Sequence, residues 1–239
     1  MSTADSLISI VIPTLNEAEA LPTLLTGLKG EVTPHEIIVA DGESTDDTRM
    51  VALRHGARLA ATARGRGAQL AAGAAAARGD VILFLHADSC FPRGGLTCIR
   101  SIADTRADVI GGNFRLAFHE PDRFAQWVVR LYALLRRFGF YYGDSGIFVR
   151  TAQYRGLGGY RPIALMEDYD FVRRLEHAGT TVCIEEPSLV TSARRFHGRR
   201  RLAIVGQWLV LHLLFHLGVA PGTLARLYDS ERRRARQRI

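Results

Sequence analysis

The sequence predicts an α/β fold in which a largely parallel sheet is covered by helices on both faces. In the first 86 residues, short apolar runs rich in β-branched residues alternate with helical segments, at the spacing of repeated β–α–β units. The runs are mostly apolar and do not alternate with polar residues, which is typical of strands buried on both faces of a sheet. The 239 residues are enough for one large domain, or for a domain with an appendage.

The first half of the chain supplies the regular part of this pattern. Strands are predicted at residues 7–12, 35–40, 58–61 and 80–86. The predicted helices are 17–29, one capped by Ser44 or Thr45, and the alanine-rich segment 66–78. Sheets of this type bind ligands just beyond the carboxyl ends of their strands, so we expect the site there.

The alternation becomes irregular after about residue 105. The predicted elements are a strand with a Gly-Gly kink at 108–118, an amphipathic helix at 121–138, a strand at 144–150, a helix at 167–179 and strands near 181–185 and 188–192. No linker separates independent domains. We therefore expect one domain over residues 1–200 and a tail of helices over residues 201–239.

Composition and charge exclude several classes of protein. Hydrophobic residues make up 47% of the chain and charged residues 23%, which excludes a disordered or fibrous protein. The net charge of +7 comes from the tail, since the residues from 191 onward contain 11 arginines and 2 acids. A nucleic-acid enzyme more often carries its basic patch across the active face, so no nucleic-acid partner is expected.

The cysteines bear on the cellular compartment. Cys90, Cys98 and Cys183 form no C-x-x-C pair, which argues against a disulfide framework or a structural zinc site. The N-terminal residues lack the basic segment and the long apolar run of a signal peptide. Both features predict a cytoplasmic protein.

Acidic residues follow three of the predicted strands. Asp41 and Asp88 come directly after strands, and residues 13–17 follow the first strand. Because parallel strands end at the same edge of a sheet, we expect the two carboxylates to converge there. Oxygen ligands suit Mg²⁺ or Mn²⁺ on a diphosphate. Any one of these acids taken alone is better explained as a turn or cap residue.

Four segments resemble the motifs of family 2 glycosyltransferases, which have the GT-A fold. They are SIVIPTLNE, IIVADGESTDDT, DVILFLHAD and MEDYDFVRRL, and they occur in the family's order over roughly residues 7–200. The resemblance implies a nucleotide-diphospho-sugar transferase with a Rossmann-like mixed sheet. It also implies an inverting transfer of one sugar from a nucleotide-diphosphate sugar, UDP-linked by our expectation, with Mg²⁺ or Mn²⁺ as cofactor.

The resemblance also implies roles for individual residues. Those expected at the nucleotide sugar are Pro13, Leu15, Glu17, Asp41, Asp88, Arg195 (or Arg194) and Arg66 (or Arg64). Asp88 is expected to hold the metal, and Asp168 to be the general base. Glu167 and Asp144 are expected to line the acceptor pocket. Like charges crowd at the start of the 167–179 helix, which predicts a raised pKa for one of them; ordinary helix N-terminal acidity is the alternative.

Two departures from the family pattern refine this prediction. His86 stands where the D-x-D motif has its first carboxylate, so we expect Asp88 and phosphate oxygens to hold the metal. The Q-x-x-R-W segment of processive members is absent, which argues against a polysaccharide synthase. Finer features, among them LGGY and TSARRF, resemble small bacterial transferases associated with radical-SAM and selenodomain genes and with arsenosugar biosynthesis.

The tail and the acceptor leave alternatives open. The apolar stretch 202–220 is borderline for a membrane span, so we expect it to dock on the domain, to dimerise, or to lie on the inner face of the membrane. Zinc binding by His212 and His216 is not favoured, because no Glu follows His212. A polyprenyl-phosphate acceptor, or a sensor that binds nucleotide sugar without transfer, remain alternative functions.

Overall fold

A computed structural model describes residues 6–118, 122–191 and 201–236, with side chains over 204–228 in the last segment. The strands are β1 (Ile8–Thr14), β2 (His35–Asp41), β3 (Arg58–Ala61), β4 (Val81–Phe84), β5 (Val109–Phe118), β6 (Ile147–Arg150) and β7 (Thr180–Thr191). The helices are α1 (Leu21–Lys29), α2 (Thr48–Arg54), α3 (Arg66–Ala75), α4 (Gly95–Thr105), α5 (Arg123–Arg136), α6 (Thr151–Gly156), α7 (Glu167–Ala178), α8 (Arg201–His216) and α9 (Pro221–Arg236).

The seven strands form one mixed sheet in the order β3-β2-β1-β4-β6-β5-β7. The pairs β2–β3, β1–β2 and β1–β4 are parallel, as the apolar runs predicted. β6 is antiparallel to both of its neighbours, β4 and β5. The strand order reverses between β1 and β4, which is the kind of position where open α/β sheets bind ligands.

Two apolar cores lie on opposite faces of the sheet. One contains Ile8, Ile10 and Ile12 with the apolar faces of α1 and α4. The other contains Val11 and Ile38 with residues of α3, α6 and α7. Because successive side chains of a strand point to opposite faces, a strand with apolar residues on both faces, such as β1, can serve both cores.

Hydrogen bonds between loops correct two predicted helix starts. The first helix begins at Leu21 and not at Glu17, because the chain from Asn16 to Ala18 bonds to side chains of the loop after β2. The second helix begins at Thr48 and is not capped by Ser44 or Thr45, which bond to Asn16 instead. The groups that the sequence predicted at the starts of these helices therefore join the two loops to each other instead.

The second half differs from prediction in three further places. The two strands expected at 181–185 and 188–192 are one strand, β7, which pairs with β5 through a register shift between Phe114 and Leu116. The segment predicted as a strand from 144 begins as a 3-10 turn, Gly143–Ser145, and becomes β6 at Ile147. Two helices, α4 and α6, were not predicted.

The C-terminal helix α8 contacts the domain through its two histidines. His212 Nε2 lies 2.9 Å from the Tyr142 hydroxyl, and His216 Nε2 lies 3.0 Å from the Tyr169 hydroxyl. Both Nδ1 atoms face backbone carbonyls of α8, to which an N–H at Nδ1 donates, so the Nε2 lone pair is left to accept the tyrosine's hydrogen bond. In the described residues, no helix has the combination of length and apolar composition needed to span a bilayer.

Candidate active site

The loops after β1 and β2 are joined side by side at the carboxyl edge of the sheet. The Asn16 amide donates to Ser44 Oγ at 2.9 Å, and the Thr45 amide donates to Asn16 Oδ1 at 2.8 Å. The Glu17 amide donates to Thr48 Oγ1 at 2.8 Å. Asn16 and Glu43 have φ values of 57° and 64°, a left-handed conformation that costs free energy for such residues. The two loops therefore form one constrained surface.

A glutamine of α3 links the ends of β1 and β2 beneath this surface. Gln69 Nε2 donates to the carbonyls of Thr14 at 2.6 Å and Ala40 at 3.1 Å, at the ends of β1 and β2. A side chain at Gly42 would meet Gln69 at 2.8 Å, so glycine is needed for this close approach. Gln69 was not predicted as a site residue; the available signal in the sequence was one long polar residue on the buried face of an alanine-rich helix.

Asp41 is buried and is fixed by hydrogen bonds from Ser44 and Arg49. Its side chain is 1% exposed, and Oδ2 accepts hydrogen bonds from Arg49 Nε at 2.6 Å and from the Ser44 amide at 3.1 Å. Burial raises its pKa, but the hydrogen bonds from Ser44 and Arg49 outweigh it, so the pKa lies below its usual value. Asp41 is thus an ionised residue that orders the loop, and its contact with a nucleobase stays a prediction.

A second group of charges lies where α3 and α7 begin. Arg66 Nη2 donates to Asp168 Oδ2 at 2.7 Å and also contacts His86 Nε2. Arg66 Nε lies 3.2 Å from Glu167 Oε1 but makes no aligned hydrogen bond there. The structure therefore brings together three predicted site residues, Arg66, Glu167 and Asp168, from segments a hundred residues apart.

The two oxygens of the Asp168 carboxylate have different surroundings. Oδ2 accepts from Arg66 and also from the Gly143 amide at 3.2 Å, which fixes the orientation of the group. Oδ1 is buried, and no residue within the described parts of the chain donates to it. A buried carboxylate oxygen without a donor is costly unless a ligand supplies one. The arrangement therefore suits an oxygen that accepts a proton from a bound hydroxyl.

Glu167 has the raised pKa that the crowded acids predicted. Burial and then the negative charge of Asp168 raise it to about 7, with Arg66 opposing both. The poor alignment between Arg66 Nε and Glu167 explains why one guanidinium does not keep both carboxylates ionised. At neutral pH Glu167 is therefore partly protonated beside Asp168. This makes Glu167 a group that can donate or accept a hydrogen bond toward an acceptor.

The residues after β4 fit a divalent cation in part. Asp88 is exposed, and in the described regions no group is hydrogen-bonded or ion-paired to it. A guanidinium has only donors, so His86 Nε2, which Arg66 contacts, must act as acceptor there and is occupied. No group of three or more metal-binding side chains exists within the described residues. Mg²⁺ is commonly bound by one or two carboxylates and by substrate phosphates, which matches Asp88 with a diphosphate.

The remaining predicted residues are distributed around this edge. Pro13 is half-buried at the end of β1, and Leu15 is 40% exposed in the loop that follows. Arg64 Nε lies 3.6 Å from Glu43 Oε2. Asp144 Oδ2 lies 3.5 Å from the Tyr132 hydroxyl, and its charge acts on Arg66. Arg194 and Arg195 lie outside the described residues.

One cavity lies beside the C-terminal helix α8. It measures about 430 Å³ and lies between α7 and α8, lined by residues that include Tyr169, Arg173 and Phe215. At the carboxyl edge of β1, β2 and β4, Arg49 was not predicted as a site residue; its bond to Asp41 spans eight residues.

Comparison with known proteins agrees with this geometry. The sequence profile of glycosyl transferase family 2 matches residues 9–157, which is more than half of the chain. The chain belongs to glycosyl transferase family 2. This confirms the family predicted from the four motifs. The match ends before α7, so the placement of Asp168 rests on the three-dimensional contacts.

Relatives of this family 2 chain include an uncharacterized glycosyltransferase of Mycobacterium bovis. It is 34% identical over 131 residues, which are 54% of this chain and 56% of that protein. The chain thus spans little more than half the length of this curated relative.

Two solved structures have the same fold. The mannosyltransferase of Pyrobaculum calidifontis, in complex with GDP-Man and Mn²⁺, matches with a TM-score of 0.66 and 18% identity over 96% of this chain and 70% of that chain. A second match is glucosyl-3-phosphoglycerate synthase of Mycobacterium tuberculosis, solved in complex with Mn²⁺, UDP and glucosyl-3-phosphoglycerate. Its TM-score is 0.61, with 22% identity over 90% of this chain and 81% of that chain. Together with the mixed sheet, these matches confirm the GT-A fold.

Proposed function

We propose that this chain is an inverting glycosyltransferase that moves one sugar from a nucleotide-diphosphate sugar to an acceptor hydroxyl. The observation that carries the proposal is the Asp168 carboxylate, which is oriented through Oδ2 and has Oδ1 free of donors among the described residues. Family membership supports the reaction class.

The proposed step is a single displacement at the anomeric carbon. Asp168 Oδ1 takes the proton of the acceptor hydroxyl as that oxygen forms a bond to the anomeric carbon. The bond from this carbon to the diphosphate oxygen breaks, and the nucleoside diphosphate leaves with the electron pair. One displacement inverts the configuration. Arg66 and the Gly143 amide keep the base in position through their hydrogen bonds to Asp168 Oδ2.

Asp88 is the proposed ligand of Mg²⁺ or Mn²⁺, together with phosphate oxygens of the donor. When bound, the cation supplies positive charge that stabilises the departing diphosphate. His86 is not a proposed ligand, because its Nε2 faces Arg66. The proposed nucleoside site is the joined surface of the two loops, with Pro13, Leu15 and Glu17 at its border and Asp41 toward the base.

UDP is the proposed nucleotide, supported by the UDP bound to the Mycobacterium tuberculosis synthase, although the Pyrobaculum calidifontis enzyme was solved with GDP-Man. The acceptor pocket is proposed to include Asp144 and Glu167, and the acceptor to be small or lipid-linked. The narrower subgroup associated with radical-SAM genes and arsenosugar biosynthesis stays a prediction from motifs. So does the division into a transferase domain over 1–200 and helices over 201–239, and the cytoplasmic location.

Asp168→Asn tests the proposal most directly. The change should lower transfer roughly 100- to 10,000-fold, the range of general-base catalysis, while donor binding stays unchanged. Asp170→Asn is the matched control on the same helix, since its carboxylate pairs with Arg161 and Arg174 and should affect stability but not transfer. If Asp168→Asn transfers sugar at the wild-type rate, Asp168 is not the base.

Two alternatives give different outcomes in the same experiments. With a polyprenyl-phosphate acceptor, the radiolabelled sugar would be recovered in an organic lipid extract. With a non-catalytic sensor, Asp168→Asn would bind nucleotide sugar normally and keep its cellular function. The constrained Asp168 Oδ1 favours the enzyme over the sensor, since a binding protein does not need a buried carboxylate oxygen without a donor.

A further inference from the structure

Helices α5 and α8 pack together, and each leaves several large apolar side chains exposed. They share a small core of Ala125, Val128 and Ile204, with Tyr132 and Trp208 packed against it. Beyond this core, seven large apolar side chains on or just after the two helices are between 45% and 70% exposed: Trp127, Leu134, Phe138, Leu209, Val210, Leu213 and Leu217. Clusters of exposed apolar side chains on this scale mark interaction surfaces.

The spacing of these residues gives each helix one continuous stripe. On α5, positions 123, 127, 130, 134 and 137 recur at intervals of four and three residues, so arginines alternate with Trp127 and Leu134 along one face. On α8, positions 209, 213 and 217 follow the same rule. We call these two stripes together the α5/α8 face.

The charges of the α5/α8 face all have one sign. No acid occurs in the sequence from Arg123 to Gly143 or from residue 201 to residue 228. Arg123, Arg130 and Arg137 are exposed, and no acid in the described part of the chain pairs with them. A partner for this face must therefore accept apolar side chains and supply negative charge.

We propose that the α5/α8 face binds the surface of an anionic lipid bilayer. Leucines and Trp127 would enter the boundary between headgroups and acyl chains, where tryptophan is favoured, and the arginines would meet anionic headgroups. A second copy of the chain is less suitable, because a two-fold dimer sets the same patch of both copies against each other and would oppose their arginines. The proposal is independent of the transfer reaction and needs no sugar for its test.

Vesicle flotation with the full chain tests it. The protein should float with vesicles of phosphatidylcholine containing about one third phosphatidylglycerol, and not with phosphatidylcholine alone. Binding should weaken in ~1 M salt, where the Debye length falls to about 3 Å. In Trp208→Phe, Trp127 is the remaining tryptophan of the two in the sequence. Its emission should shift to the blue on binding and be quenched by brominated lipid.

Two pairs of variants distinguish binding through the α5/α8 face from the general effect of adding negative charge to the protein. Leu213→Asp should weaken vesicle binding about tenfold or more. Leu53→Asp on α2 is the control and should not weaken it, because Leu53 is 59% exposed and Leu213 is 60% exposed. Arg130→Glu should weaken it about fivefold or more, whereas Arg155→Glu on α6 carries the same charge change and should have little effect.

Several results would overturn the proposal. They are wild-type protein that stays with the aqueous phase, equal binding to neutral and anionic vesicles, equal losses in the test and control variants, or Trp127 emission that does not respond. A dimer that Leu213→Asp dissociates, seen by light scattering in protein that does not bind vesicles, would assign the face to a second copy instead.

Discussion

Arg66 is the residue on which the charges of the candidate site depend. Its guanidinium contacts Asp168, Glu167 and His86, which come from α7 and from the loop after β4. One cation between two carboxylates cannot neutralise both in a buried place. Burial and the negative charge of Asp168 raise the pKa of Glu167 to about 7, while the Arg66 guanidinium is hydrogen-bonded to Asp168.

The raised pKa predicts a pH dependence of stability. The unfolded chain loses the Glu167 proton near its ordinary pKa of 4.5, but the native chain keeps it up to about 7. Between these values the native state binds more protons, so Glu167 contributes stability at low pH that is lost as the pH rises toward 7. At about 1.4 kcal/mol per pKa unit, the loss is at most about 3 kcal/mol.

Thermal unfolding of wild type and Glu167→Gln from pH 5 to pH 8 measures this effect. Glutamine cannot ionise, so the wild type should lose stability relative to the variant across the window and the difference should level off above about pH 7.5. Parallel curves for the two proteins would show that the Glu167 pKa is not raised in the native state.

At the scale of elements, the site depends on the contact between the 3-10 turn before β6 and the beginnings of α3 and α7. The 3-10 turn Gly143–Ser145 lies against the beginnings of α3 and α7, and its first amide donates to Asp168. A methyl group at Gly143 would lie 2.5 Å from both Arg66 Nη2 and Asp168 Oδ2. Glycine is therefore required here for close approach and not for its backbone conformation.

Gly143→Ala should separate Arg66 from Asp168 and lower transfer by roughly a hundredfold, as expected when a catalytic group moves by about 1 Å. The readout is release of nucleoside diphosphate from the donor sugar. Gly156→Ala is the control, because no atom lies within 4 Å of the added methyl at the end of α6. That control should keep full activity and gain up to ~1 kcal/mol of stability. Equal activity of the two variants would argue against a role for the contact of the 3-10 turn with α3 and α7.

At the scale of the whole molecule, the topology of the sheet gathers the site. Parallel β1, β2 and β4 end at one edge, and antiparallel β6 begins at that edge, so the turn before β6 lies there. Gly143 of this turn donates to Asp168 at the start of α7. Helix α8 then packs beside the site through Tyr142 and Tyr169. A ligand at this edge would contact many elements and should stabilise the molecule as a unit.

A thermal-shift panel with UDP, GDP and dTDP and their sugars, with and without Mn²⁺, tests this expectation. A ligand present at about 100 times its Kd and bound only by the native state adds about 2.7 kcal/mol to the free energy of unfolding. We expect UDP to give the largest shift, and Asp88→Ala to lose the part that depends on Mn²⁺. A panel without any shift would exclude a nucleotide-sugar donor. A GDP shift alone would keep the enzyme and change the donor.

The degree to which the site could be predicted varied from residue to residue. Asp168, Glu167 and Arg66 were identified from motif positions, and the structure brings them into contact. Gln69 and Arg49 were not, because hydrogen bonds to backbone carbonyls or to a loop carboxylate leave no pattern of spacing in the sequence. Asp41 was assigned to the nucleobase, yet its burial follows from the fold of its loop and could not be read from its position after a strand.

The sequence by itself determined the alternation of strands and helices in the first half, the segments that face the carboxyl edge, and the family. These follow from local apolar periodicity and from short motifs, which residues close in the chain can encode. Only the tertiary structure decided that β6 runs antiparallel, that Ser44 and Thr45 bond to Asn16 instead of capping α2, and that Gly143 and Arg66 orient Asp168. Such contacts join distant segments, and their free energy depends on distances that exist only after the sheet has brought those segments together.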